Sequence, residues 1–283
     1  MKRLSKNKCV YSMNAKHEAA MRAEPGDQIL VETHSALHRD TDGNYNPATG
    51  PIFIEGAERG DILSVRIDKI EVESPGVVIC GKDMGVLGAH LEKTAEREVA
   101  IEGDYAIFSE KVKLPLNKML GVIGTAPKDE DIPCSTPDYH GGNMDCNEIR
   151  EGATLLLPVS VPGALLALGD LHAVMGDGEI GISGVEVSGS VTITVNLIKG
   201  KDYPLPMIIN ETHIMTLASH VDLDIAVEMA TLNMVKYLEG EGFDIYDATM
   251  LTSLVGDVKI CQVVDPKKTI RVCFPKEGAE KWK

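Results

Sequence analysis

The stretch SVTITVNLIKG, residues 190–200, decides the fold class. Val191, Ile193, Val195 and Leu197 alternate with Thr192, Thr194 and Asn196, and β-branched residues dominate. Alternation with a period of two puts one set of side chains on each face of a strand. Upstream, DILSVRIDKIEVE (61–73) repeats the pattern through Ile62, Val65, Ile67, Ile70 and Val72. The short apolar runs VVIC, YAIFSEKVKLPL, MLGVIG, ATLLLPVSV and GALLALGD are separated by Gly, Pro and Asp, with Pro162-Gly163 a turn signal. Up to about residue 200 the chain therefore reads as strands.

Beyond that point the period changes. DLDIAVEMATLNMVKYLEGEG places Leu223, Ala226, Val227, Ala230, Met234 and Tyr237 on one helical stripe. Asp222 is the expected N-cap and Gly240 or Gly242 the stop. DIYDATMLTSLVGD reads as a second, shorter helix opened by Asp244, and the chain closes on two strands, VKICQVVDP and TIRVCFP. The expectation is a mainly β, sandwich-like fold of two packed sheets, with a smaller α/β part containing two helices near the C-terminus. No repeat or flexible linker divides it. Residues 1–283 are expected to form a single domain, β-rich over 1–200 with the α/β part 201–283 packed on it.

Composition narrows the function. Hydrophobic residues make up 43% of the 283, but aromatics only 4%, so Val, Ile, Leu, Ala and Met must fill the core. The formal charge is −15, from 43 acidic and 28 basic residues, a surface that repels nucleic acid and anionic membranes. The six cysteines form no CxxC pair, so neither a zinc ribbon nor a disulfide framework is expected. No run is apolar enough for a membrane span, and the basic N-terminal stretch has no signal-type apolar core. The expected location is the cytoplasm.

Two stretches carry chemistry. DLHAVMGDGEI (170–180) follows the apolar run GALLAL, so Asp170 and His172 lie two apart at the end of a buried strand and share a face. That geometry offers two ligands to one ion, with Glu179 arriving from the adjoining glycine loop. A buried carboxylate requires a partner, which argues against His172 being a mere core histidine. In DYHGGNMD (138–145), His140 and Asp145 are further candidate metal ligands and Asn143 a candidate donor to a carbonyl oxygen. Gly141 and Gly142 would let backbone approach a ligand. Read locally, the same stretch is also an ordinary Gly/Asn/Asp turn. NPATGPIFIEGAERGD (46–61) reads as a structural turn and strand entry. His34 and His38, like His213 and His220, show no ligand spacing, and there is neither a GxSxG elbow nor a phosphate loop.

Taken in order, NPATGP with EGAERGD, HGGNMD, GATLLLPVSVPGALLALGDLHAVMGDGE and VGDVKICQVVDPKKTIRV resemble the acetamidase/formamidase family, over about residues 46–272. The resemblance implies hydrolysis of short-chain amides to a carboxylate and ammonia on a β-rich sandwich with an added α/β part. It also implies a small-molecule amide as partner and association into a homo-oligomer, a dimer being expected. After VETH the family usually carries an acidic residue; here Ser35 stands in that place, and Asp40 or Asp42 could compensate.

The expected site has one divalent ion, zinc foremost with calcium as alternative, on Asp170, His172 and His140 or Asp145. Glu179 is the expected general base and acid. Asn143 and the Gly141 and Gly142 N–H groups would face the oxyanion, and His34 is an expected substrate contact. Two other readings stand beside it. One is a metal-independent amidase using Cys134 or Cys146 as nucleophile. The other is a non-catalytic sandwich in which a metal staples loops around a small ligand.

Overall fold

The computed structural model describes residues 1–276. Alternation in the sequence becomes two large packed sheets. The strand Gly189–Ile198 is the spine of a nine-stranded sheet, pairing antiparallel with Gln28–Thr33 on one side and Ile62–Val72 on the other. That sheet continues through Thr154–Pro158, Met207–Ile209, His213–His220 and Lys268–Pro275 to an edge strand, Asp257–Gln262. It therefore crosses residue 200 without a break: the last strands of the α/β part extend the sheet that the β-rich part begins.

The second sheet has eleven strands. Leu166–His172 lies at its centre, antiparallel to Met119–Gly124, to Glu186–Val187 and to Ala48–Ile54. Met119–Gly124 in turn pairs with the short strand Gly141–Asn143. Inward residues of both sheets share one core, with Ile29, Val31, Val65 and Ile67 meeting Ile52, Leu120, Leu166 and Leu168. Among the described buried hydrophobic residues Phe274 is the one aromatic, and aliphatic side chains fill the rest of the core.

The helices form where their caps predict. Helix α1 spans Leu223–Gly240, and the Asp222 side chain accepts from the Asp224 and Ile225 amides. Helix α2 spans Ile245–Val255, with Asp244 accepting from Tyr246 and Asp247. Both pack on one face of the nine-stranded sheet. Ala226, Ala230, Met234 and Leu238 of α1 and Ala248 of α2 meet Ile270, Val272 and Phe274. Because strand residues alternate, Arg271 and Cys273 turn to the opposite face, toward the interior of the sandwich. No helix among the described residues is long and apolar enough to cross a membrane.

Candidate active site

Every residue of the strand Leu166–His172 is buried, including the polar Asp170 and His172 in its last three positions. Asp170 adopts φ +61°, outside the extended range, and still lies on the side of His172: their Oδ1 and Nε2 are 3.1 Å apart. Register supplies the remaining groups. Met119 pairs with His172 and Val122 with Gly169, so Gly121 lies beside Asp170. A Cβ at Gly121 would collide with the carboxylates of both Asp170 and Asp145. Glycine is needed there to leave room for two acids.

The cluster has two overlapping halves. Asp145, Asp170 and His172 form one group of potential ligands, and His172, Glu179 and Glu186 the other, with donor atoms of each within 4.8 Å of one another. His172 Nε2 is 3.0 Å from Glu186 Oε1 and 3.9 Å from Asp145 Oδ1, while Nδ1 faces the Met175 sulfur at 3.2 Å. A fifth carboxylate, Asp265, accepts from Asn143 Nδ2 at 2.9 Å. Asn46 Nδ2 reaches Asp170 at 3.5 Å. These residues form the floor of a cavity of about 650 Å³.

Strain collects at this floor. Among the described residues eight non-glycine residues have positive φ, and five of them, Asn46, Asp145, Asp170, Glu179 and Ile182, line the cavity. Such conformations persist only where surrounding structure enforces them, and they concentrate at functional sites. The Glu179 loop shows the enforcement. Gly178 donates to the Cys261 carbonyl at 2.9 Å and accepts from Val263 N at 3.2 Å. Asp177 is clamped by two bonds from Arg271, at 2.7 and 2.9 Å.

So many acids cannot all be ionised in so small a buried space. Burial drives the Asp145, Glu179 and Asp265 carboxyls well above the usual carboxylate range, and neighbouring carboxylates add to it. Burial also pushes Glu186 up to about 7, against the opposing pull of His172. For His172 burial acts downward, but Glu186 and Asp170 outweigh it and hold the imidazole well above its ordinary pKa. Burial acts upward on Asp170, yet His172 keeps that carboxyl below its usual value. Protons or a cation must neutralise the cluster. Four of its buried oxygens, Asn46 Oδ1, Asn143 Oδ1, Asp145 Oδ1 and Glu186 Oε2, have no hydrogen-bond partner. A donor set of carboxylates around one imidazole, with oxygens unsatisfied, fits a divalent cation.

The geometry brings only part of the expected site together. Asp170, His172, Asp145, Asn143 and Glu179 come together; His140 does not. It is fully buried, but it packs against Gly124 and is not among the residues lining the cavity. Both its ring nitrogens lack partners, and burial pushes its pKa down to about 4. Gly141 and Gly142 are outside the cavity lining, and the Gly141 N–H donates to Asp138. Their glycine identity serves positive φ values of +99° and +84° in a tight hairpin. One N–H of the Asn143 amide is engaged by Asp265, and its Oδ1 has no partner.

His34 stacks on His38, ring centres 4.0 Å apart, and is not a lining residue. Asp40 is spent on its own loop, accepting from the Asp42 and Asn44 amides, and does not replace the acid missing at Ser35. Neither thiol opens on the cavity. Cys134 lies in a small core with Met13, Val122 and Ala167, its pKa pushed up to about 12 by burial, and Cys146 is buried beside Cys261 and Arg271. Sequence reasoning missed Glu186, Asp265 and Asn46. Glu186 interrupts an apolar run, GVEVSG, and a lone acid in such a run is the signal that could have found it.

The result is a β-sandwich protein with a carboxylate–imidazole centre at the floor of a cavity. The sequence profile of the acetamidase/formamidase family matches residues 43–135 and 131–278, and the chain belongs to that family. It is similar to the formamidase of Methylophilus methylotrophus, 31% identical over 84% of this chain and 80% of that protein. An acetamidase structure from Bacillus halodurans superposes with a TM-score of 0.95 at 42% identity, over 99% of both chains. A relative from Schizosaccharomyces pombe, 29% identical, is matched over only 51% of its length.

Proposed function

We propose that the protein is an amidohydrolase that cleaves short-chain linear amides, of the formamide or acetamide type, to a carboxylate and ammonia. The observation that carries this reading is the buried cluster sharing His172, with unsatisfied oxygens at the floor of a cavity. Family membership supplies the amide. Asp145, Asp170 and His172 are the residues to hold a divalent ion, with Glu186 beside them. One imidazole with two carboxylates suits zinc, and the surplus of carboxylates also suits calcium. A bound divalent cation supplies Lewis acidity and lowers the pKa of a ligated water towards about 7.

The chain's own groups do the rest. Glu179, held by its clamped loop, takes a proton from the attacking water and returns it to the departing nitrogen. Asn143 Oδ1, which has no hydrogen-bond partner, would accept from the substrate NH₂ group. Hydrolysis is tested by ammonia release from formamide and acetamide, with metal content measured on protein purified without added ions. Turnover is expected to fall at least tenfold on chelation and to return with zinc or calcium. Full activity in metal-free protein would refute the metal assignment.

A second copy of the chain is the proposed partner in solution. Helix α1 exposes Ile225, Met229 and Leu232, and α2 exposes Tyr246, Met250 and Leu254, with Val258 and Ile260 on the adjoining edge strand. An apolar face of this breadth marks an association surface. Light scattering is expected to give the mass of a dimer, and Leu232→Glu with Leu254→Glu to give that of a monomer. The free cysteines fit the reducing cytoplasm as location.

A further inference from the structure

The cavity is much larger than the amides named above, and its outer part is built for something else. An acetamide-sized molecule fills on the order of 100 Å³, taking about 30 Å³ per water-sized group. The cavity holds about 650 Å³, in the range of sites that accept far larger ligands. Its chemistry changes from floor to mouth. The floor is the buried acidic cluster. The wall above it is apolar and half-buried, formed by Ile79, Ile182 and Val264. The exposed mouth carries Leu37, Met84, Tyr45 and Arg39.

Arg39 is the one arginine or lysine among the described lining residues, in a chain of net charge −15. Five arginines elsewhere, Arg3, Arg22, Arg66, Arg150 and Arg271, are tied to carboxylates. Arg39 is not. Its Nη1 donates to the Gly43 carbonyl at 3.2 Å and its guanidinium lies 5.4 Å from the centre of the Tyr45 ring. The acid next to it in sequence, Asp40, is occupied by the Asp42 and Asn44 amides. A guanidinium held by its own loop, with donors to spare and no counter-ion, is arranged to receive an anion.

We infer that the same site takes a further substrate class: primary amides whose acyl chain runs several carbons and ends in a carboxylate, the monoamides of dicarboxylic acids. This rests on the amidase reading. The amide lies at the acidic floor, the methylenes against Ile79, Ile182, Val264 and Leu37, and the carboxylate at Arg39. Water adds its oxygen to the acyl carbon, the C–N bond breaks, and the products are a dicarboxylate and ammonia. No oxidant or second substrate is required.

The test compares kcat/KM for acetamide, for neutral amides of four to six carbons, and for dicarboxylic monoamides of matched length. Each methylene buried along the wall is expected to raise kcat/KM about fourfold. The terminal carboxylate is expected to add about fivefold over the neutral amide of equal length, the scale of a well-formed exposed ion pair. In Arg39→Gln that carboxylate-to-neutral ratio falls to about one, and Arg39→Lys restores part of it. Acetamide turnover without any preference for the carboxylate in the wild-type protein would overturn this inference alone. A ratio unchanged in Arg39→Gln would also overturn it. Failure to hydrolyse any of the amides would sink the amidase reading and this inference with it.

Discussion

Replacing His172 by alanine is expected to empty the site. The imidazole belongs to both halves of the cluster, so its removal breaks both sets of ligands at once. Residues that merely orient metal ligands cost roughly 10- to 100-fold in affinity or activity when changed, so loss of the shared ligand is expected to exceed about a hundredfold in both. Two further consequences separate this effect from general damage. Asp170 and Glu186 each lose their partner, at 3.1 and 3.0 Å, and buried pairs broken on one side cost about 3–5 kcal/mol. The melting temperature is therefore expected to fall as well. Asp170→Asn, which keeps shape and removes charge, is expected to lose metal with a smaller loss of stability. Metal analysis and ammonia release on both variants check this. If His172→Ala keeps its full metal complement and full turnover, the cluster is structural.

Glu179→Gln is expected to separate binding from chemistry. The substitution preserves size, and the loop remains fixed by the Gly178 backbone bonds and the Asp177–Arg271 clamp. Metal content should stay near that of the wild type, while kcat falls by about two to four orders of magnitude, the usual scale for a general acid–base group. Substrate affinity should change little. Retained turnover would move the proton transfer to Asp145, Glu186 or Asp265, the other acids at the floor with raised pKa values. Loss of metal together with turnover would make Glu179 a ligand instead.

The clamp on Asp177 shows how reading by proximity in sequence goes wrong. DLHAVMGDGEI gathers four proton carriers within eleven residues, and three of them, Asp170, His172 and Glu179, reach one centre. Asp177 does not. The glycines on either side let the chain reverse, and Arg271 from the nine-stranded sheet draws that carboxylate away. The same acid-rich stretch therefore supplies both chemistry and its scaffold. HGGNMD divides in the same manner, with Asn143 and Asp145 delivered to the centre and His140 buried outside the cavity lining.

What the sequence determined by itself is everything written in local periods and caps. Alternation in Ile62–Val72 and Gly189–Ile198 fixes strand faces, and Asp222 and Asp244 start two helices where the apolar stripe begins. The period of two led to the expectation that Asp170 and His172 share a side; they lie 3.1 Å apart although Asp170 leaves the extended range. Which other groups meet them was decided only by tertiary structure. Glu186, Asp265 and Asn46 come from segments far apart in sequence. Sheet register sets Glu186 beside His172, a glycine at 121 leaves space for two carboxylates, and loops carry Asp265 and Asn46 to the same cavity. Register depends on the packing of whole sheets, and no local pattern around an isolated acid records it.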